Sequence, residues 1–241
     1  MKTFDDSEAA AYDTRIHRVV PGYEALHQAV CHVAMELGPR RIFCSGAGTG
    51  AEVGALSTIL PHAEIEAAEP SLDMRALGEV RTDGSSNVTW IDEPTGSFDL
   101  VTSILVGHFV ADESLFGYFA EIGKLTVAGG SLIVSVMAAP SSPAEAEDWI
   151  HHLATQLNKP ADYDGRFERA QETYESLPGN VCLRDAAVYE DVIARAGFRQ
   201  EQVFFRRPMI HGWVYRKSYR SASTIVINEN RRSALQYRRR D

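Results

Sequence analysis

Three glycines and one carboxylate make the most legible chemistry in this chain. Gly46, Gly48 and Gly50 follow the short apolar run Arg41 to Ser45 and precede a helical pattern that begins at Ala51. Glycine suits a backbone that turns tightly and meets a ligand at a distance a Cβ would block. The helix that follows offers unpaired N–H groups to an anion or carboxylate. Glu69 stands 23 residues after Gly46, at the end of the next strand-like run, where its carboxylate would accept hydrogen bonds from both hydroxyls of a ribose. Together these form a nucleoside-binding arrangement. The spacing Gly46-x-Gly48-x-x-Ala51 also satisfies the looser nicotinamide dinucleotide pattern, so two ligand classes compete at this point.

The elements that must position these residues alternate strand and helix, the sign of a parallel sheet covered on both faces. Apolar residues at helical spacing run from Tyr23 to Leu37 and stop at Gly38-Pro39. Arg41–Ser45 reads as a strand, Ala51–Leu60 as a helix, and Glu64–Ala68 as a strand. Ser71 to Val80 reads as a helix capped by Ser71, with Met74 and Leu77 facing inward. Val88–Ile91 and Phe98–Leu105 are strands, and the second is apolar enough to be central. Leu115, Phe116, Phe119, Ile122 and Leu125 mark a helix, and Gly129-Gly130 ends the connection to a strand at Ser131–Met137. From Pro140 to about Pro178 two helices follow without a strand, an insertion suited to a lid over the ligand crevice. A helix at Ala186–Ala196 precedes strands Gln200–Arg206 and Met209–Arg216, whose short connection makes them antiparallel neighbours. An antiparallel pair closing the sheet is unusual for a dehydrogenase and usual for enzymes that use S-adenosylmethionine.

The expected fold is therefore α/β, Rossmann-like: a seven-stranded, mostly parallel sheet with an antiparallel last strand, helices on both faces and a helical lid. One domain is expected, with a helical cap over 1–37, a nucleotide-binding core over 38–137, a lid over 138–180, the end of the sheet over 181–217 and a basic extension over 218–241.

Hydrophobic residues make up 44% and charged residues 24%, ordinary for a globular chain. The formal net charge is −9, yet Arg216 to Asp241 carries eight Lys/Arg against Glu229 and Asp241, which leaves −15 for the rest. An acidic body disfavours broad nucleic-acid binding, which needs clustered cations. The tail reads as a solvated segment or one docked on the body or on a second copy of the chain. Within it, Asn228 and Asn230 would fold back over the pocket, or TIVINEN would add a strand to a homodimer. No run is apolar enough to span a membrane, the N-terminus lacks a secretory apolar region, and a cytoplasmic location is expected. Cys31, Cys44 and Cys182 form no CxxC pair and His151-His152 point apart on a helix, so no metal site is expected.

Over roughly residues 10 to 217 the sequence resembles the class I S-adenosylmethionine-dependent methyltransferases. RIFCSGAGTG looks like their first motif, AEPSLDM like the second, and SFDLVTSILVGHFV like the fourth strand and its exit loop. The layout YDTRIHRVVPGYEALH and RFERAQETYESLPGN…YEDVIARAGF is similar to the subgroup that contains the carboxy-S-adenosylmethionine synthases. The resemblance implies that Gly46, Gly48 and Gly50 line the methionyl part, Glu69 holds the ribose, and Asp92 or Glu93 meets the adenine. It places Ile104, Leu105 and His108 beside the sulfonium, and Arg18 and Tyr23 in an N-terminal lid. Cys44 departs from it, because that position is usually acidic.

S-adenosylmethionine carries its own leaving group, so the protein aligns the acceptor, excludes water and stabilises the sulfonium. Aromatic faces suit the last task, at about 2 kcal/mol when desolvated. Tyr12, Tyr23, Phe109 and Tyr174 are the candidates, and each also fits plain packing. Arg18 would pair with a carboxylate, or lie on the surface. His108 would act as a general base, or shape the strand exit. Three functions are consistent with these residues. The first is methyl transfer to a small molecule. The second is closure of S-adenosylmethionine on itself to azetidine-2-carboxylate with release of methylthioadenosine, which needs no partner molecule. The third is a binding subunit without turnover.

Overall fold

The structure is a computed structural model and describes residues 6–156 and 164–219. Its elements run α1 (Asp6–Val19), α2 (Tyr23–Leu37), β1 (Arg41–Ser45), α3 (Ala51–Ile59), β2 (Glu64–Ala68), α4 (Leu72–Arg81) and β3 (Val88–Trp90). They continue as β4 (Phe98–Ile104), α5 (Asp112–Leu125), β5 (Thr126–Met137), α6 (Pro143–Gln156), α7 (Asp164–Ser176), α8 (Ala186–Arg195), β6 (Phe198–Arg207) and β7 (Ile210–Lys217). The seven strands are ordered β3-β2-β1-β4-β5-β7-β6. β7 runs antiparallel to both β5 and β6, as the expected closing pair requires. Among the described residues no helix is long and apolar enough to cross a membrane.

Alternation along the strands divides the core between the two faces of the sheet. Ile42, Cys44, Leu100 and Ile133 join α2 and α3 on one side, while Phe43, Val101, Leu132 and Val134 join α5 and α8 on the other. Trp149, Leu153, Ala170 and Leu177 belong to the first of these clusters, so the α6–α7 hairpin is packed onto the sheet's own core. Glu145 ties the start of α6 down. One oxygen accepts from the Ser141 amide and hydroxyl (both 2.7 Å), and the other from the Met209 amide at 3.0 Å and from Arg206.

Two local expectations need correction. Leu77 is 41% exposed, because α4 rests on the sheet edge through Met74 and Gly78 and turns Leu77 outward. β5 begins at Thr126, not at Ser131. Phe98 pairs with Thr126 and Leu100 with Ser131, so Gly129-Gly130 lies in a bulge within the strand rather than ending a loop. The capping expectation for α4 holds: Ser71 accepts from the Met74 amide. Asn228, Asn230 and the TIVINEN segment, expected to cover the pocket or to add a strand, lie outside the described residues.

The strand order reverses between β1 and β4, since the chain builds outward from β1 to β3 and returns to the other side of β1. In open α/β sheets a crevice forms at this switch, beyond the carboxyl ends of the strands. The loops after β1 and β4 flank it.

Candidate functional site

The loop after β1 is a chain of left-handed turns. Gly46, Gly48 and Gly50 have φ of 69°, 55° and 75°, a region that costs other residues strain. At Gly46 an added Cβ would lie 2.7 Å from the Val106 side chain. At Gly50 it would lie 2.9 Å from Gly78 Cα, so this glycine is required for α4 to approach the loop. The Gly46 and Ala47 amides both donate to Ala68 O. Glu69 completes the frame: its Oε2 accepts from the Gly48 amide and its Oε1 from the Ser71 amide, both at 2.9 Å. Burial raises the Glu69 pKa and the two amides lower it. Each oxygen keeps a lone pair for a further donor.

The loop after β4 forms the opposite wall. Leu105 has φ 59°, a strained value for a branched side chain, and its amide donates to Ser135 O at 2.9 Å and Ser135 Oγ at 3.1 Å. His108 follows in a short 3-10 turn, only 5% exposed. Its Nδ1 accepts from the Met137 amide at 3.0 Å, which leaves the proton on Nε2. Burial, then the Arg184 charge, pushes its pKa down to about 3. Arg184 secures the same turn, donating to Val110 O at 2.5 Å and pairing with Asp112. His108 is thus a neutral N–H donor across the ordinary pH range.

Helix α1 lies over the glycine loop. Asp13 accepts from the Thr49 hydroxyl at 2.6 Å and pairs with Arg81, which also donates to Thr49 O at 2.8 Å. Tyr12 lies close enough to Glu69 for that charge, after burial, to raise its pKa. Tyr23 begins α2 and packs its ring 4.7 Å from His17 and 4.3 Å from His27. Burial raises its pKa most, with Tyr12 next.

Two cavities result. One of about 30 Å³ lies against the glycine loop and is lined by Tyr12, Tyr23, His27, residues 46–49, Glu52, Ile104 and Leu105. The other, about 210 Å³, is walled chiefly by apolar side chains, among them Ile16, Val19, Val20, Phe109, Met137 and Leu177, with His108, Arg15, Thr173, Ser176 and Asn180 as polar residues. Tyr12 and Leu105 line both and form the partition.

Most of the residues singled out in the sequence meet here: Gly46, Gly48, Glu69, Leu105, His108, Tyr12 and Tyr23. Three expected site residues stand apart. Arg18 is exposed and lines neither cavity; Arg15, one turn earlier on α1, takes the wall position. Tyr174 is not on the cavity wall. Thr173 and Leu177 share that face of the chain, and the step of about 100° to Tyr174 carries its ring to Trp149, with centroids 5.9 Å apart. Asp92 lies just beyond β3, its side chain 92% exposed and bonded to Arg75 at 2.5 Å. Glu52 escaped the sequence reading because an acid in a first helical turn is ordinarily explained by the helix dipole. The signal available was its i,i+4 spacing from Leu56, which puts it on the buried face of α3.

No family model matches the sequence, and no curated protein matches it significantly. Solved structures do match in fold. Human N-acetylserotonin methyltransferase in complex with SAM superposes with a TM-score of 0.61 at 13% identity, covering 89% of this chain and 57% of that one. The chain therefore spans little more than half the human enzyme's length. DhpI, in a complex with SAH, gives 0.59 at 14% identity over 89% of this chain and 94% of its own. The N-methyltransferase NodS from Bradyrhizobium japonicum, in complex with S-adenosyl-L-homocysteine, gives 0.58 at 12% identity over 82% and 88%. At these identities the likeness concerns the fold alone, which this chain shares with these structures.

Proposed function

We propose that this chain binds S-adenosylmethionine in the crevice between the β1 and β4 loops and transfers its methyl group to a small, largely apolar molecule. The observation that carries this reading is the pair of cavities that share Tyr12 and Leu105 in their walls. One is framed by the glycine loop, which Glu69 braces; the other is an apolar chamber of the size of a small acceptor. The residues fit the ligand: a doubly braced carboxylate for a ribose, glycines for close backbone approach, and a partition where the sulfonium would face the chamber. When bound, S-adenosylmethionine supplies an electrophilic methyl group and its own leaving group.

The chain's residues then bind, orient and exclude water. Glu69 accepts from the ribose hydroxyls, and Gly46 and Gly48 let the methionyl segment lie against the backbone. Asp92 would meet the adenine edge in place of Arg75. Tyr12 and Phe109 offer ring faces at the partition and in the chamber. His108 donates its Nε2–H to a polar atom of the acceptor and fixes its orientation, a role that suits a tautomer locked by the Met137 amide better than proton abstraction. The cavity at the glycine loop has room for one or two waters, so the ligand enters only when α1 lifts. The Asp13 contacts to Thr49 and Arg81 are what such a motion must break.

Product identity tests the reading. Purified protein is incubated with S-adenosylmethionine, alone and with a panel of small aromatic and aliphatic alcohols and amines, and the nucleoside product is weighed. S-adenosylhomocysteine formed only with an acceptor supports methyl transfer. Methylthioadenosine formed without one would contradict it in favour of cyclisation, and the absence of both after many equivalents would leave a binding role.

A further inference from the structure

Glu52, in the first turn of α3, is a buried carboxyl group that the site described above leaves unused. It is 7% exposed and lies on the wall of the glycine-loop cavity, beside Gly46, Ala47, Gly48 and Thr49. Its Oε1 has no hydrogen-bond partner among the described residues. A carboxylate taken out of water and left half-satisfied is costly and calls for an explanation. Its neighbours supply no cation. Cys44 at the end of β1 and Thr102 on β4 lie beside it and are neutral, and Arg81, the nearest cation of the loop's own network, is committed to Asp13 and Thr49.

The loop thus meets two acids, Glu69 at the Gly48 amide and Glu52 on α3 just after Gly50. Glu69 faces the nucleoside side and is braced by two backbone amides. Among the described residues Glu52 meets the Thr102 hydroxyl and the Cys44 thiol, and no backbone amide braces it. A ligand stretched along the loop from a ribose at Glu69 brings its far end to Glu52. Of the two cationic centres in S-adenosylmethionine, the sulfonium has no hydrogen to donate. The α-ammonium has three, and an ionised carboxylate only accepts. We propose that Glu52 receives the α-ammonium of the methionyl end, so that α3 supplies the charge that β1, with the neutral Cys44 near its end, does not. This assignment rests on the reading of the crevice as a S-adenosylmethionine site. Glu52 would then make the site selective for ligands that retain the amino-acid end.

Calorimetry at pH 8 with S-adenosylhomocysteine and with 5′-methylthioadenosine, which lacks that end, separates the cases. In Glu52→Gln, affinity for methylthioadenosine is expected to match the unsubstituted protein, while affinity for S-adenosylhomocysteine falls about 10- to 100-fold, as for a lost hydrogen bond between charged groups. Adding C44D to E52Q returns a carboxylate to the neighbouring position and is expected to recover part of the loss. Equal binding of S-adenosylhomocysteine by both proteins would overturn the assignment and leave the site itself standing. So would a parallel loss of both ligands, which would make Glu52 merely structural. If the unsubstituted protein binds neither ligand, the site reading fails first and takes the assignment with it. A measurement without any variant guards against misfolding: the unsubstituted protein should prefer S-adenosylhomocysteine to its des-amino analogue by at least about tenfold, and equal affinity would refute the proposal.

Discussion

Replacing Glu52 with glutamine should stabilise the ligand-free protein, and the gain should depend on pH. Burial holds the Glu52 carboxyl up at about 7 from an ordinary 4.5, with Thr102 and Cys44 pulling it only partly back. At about 1.4 kcal/mol per unit, ionising it inside the fold costs on the order of 3 kcal/mol more than in the unfolded chain. The sign follows from proton counting. Between pH 4.5 and 7 the folded chain holds a proton here that the unfolded chain has released, so rising pH removes stability across that window and no further above it. Glutamine has no such penalty. The titratable groups around Glu52 are Cys44 on β1, Cys31, Tyr23 and His27 on α2 and Tyr118 on α5; burial pushes the pKa values of the thiols and phenols up, so they stay protonated through the window, and holds that of His27 down. Groups common to both proteins cancel in the comparison. Melting curves of the two proteins should nearly coincide at pH 4.5 and separate to roughly 6–12 °C at pH 8 for a chain of this size, with the glutamine variant higher. Saturating S-adenosylhomocysteine should narrow the gap. A difference independent of pH, or a less stable variant at pH 8, would mean that no uncompensated charge is buried at this position.

Other substitutions probe the remaining parts. Gly50→Ala combines a left-handed φ with a contact 2.9 Å from Gly78 Cα; a loss of about 2 kcal/mol in chemical denaturation is expected, and a neutral result would mean that α4 can retreat. His108→Asn should lower kcat while leaving the pH profile between 5 and 9 unchanged in shape, since a group with its pKa near 3 does not titrate there; loss of an acid limb in the variant would identify His108 as a base. Tyr174→Ala should lower stability by about 2 kcal/mol through lost packing on Trp149 and change turnover less than twofold, and a large fall in kcat would return Tyr174 to the reaction.

What the sequence made legible was local. Helix α2 between Gly22 and Gly38, the Arg41–Ser45 strand and the Ser71 cap can be read because periodicity, glycine punctuation and capping act within a few residues. The antiparallel closing pair followed from a connection too short for a crossover. The Gly46–Gly50 turn and Glu69 were readable for the same reason: each directly follows a strand, and the two strands are parallel neighbours. What escaped depends on which face meets which neighbour. Tyr174 and Thr173 are adjacent in sequence, yet only Thr173 looks into the chamber. Arg18 and Arg15 are one turn apart on α1, and the choice between them is made by how that helix lies on the glycine loop. Glu52 is the clearest case, because nothing local distinguishes a dipole-stabilised surface acid from one driven inward beside Cys44.

The crevice beyond Gly46–Gly50 is proposed to hold an adenosyl ligand through Glu69. Calorimetric titration with S-adenosylhomocysteine tests it most directly: saturable binding is predicted, weakened at least about tenfold by Glu69→Gln. No uptake of S-adenosylhomocysteine, together with tight binding of a nicotinamide dinucleotide, would contradict it.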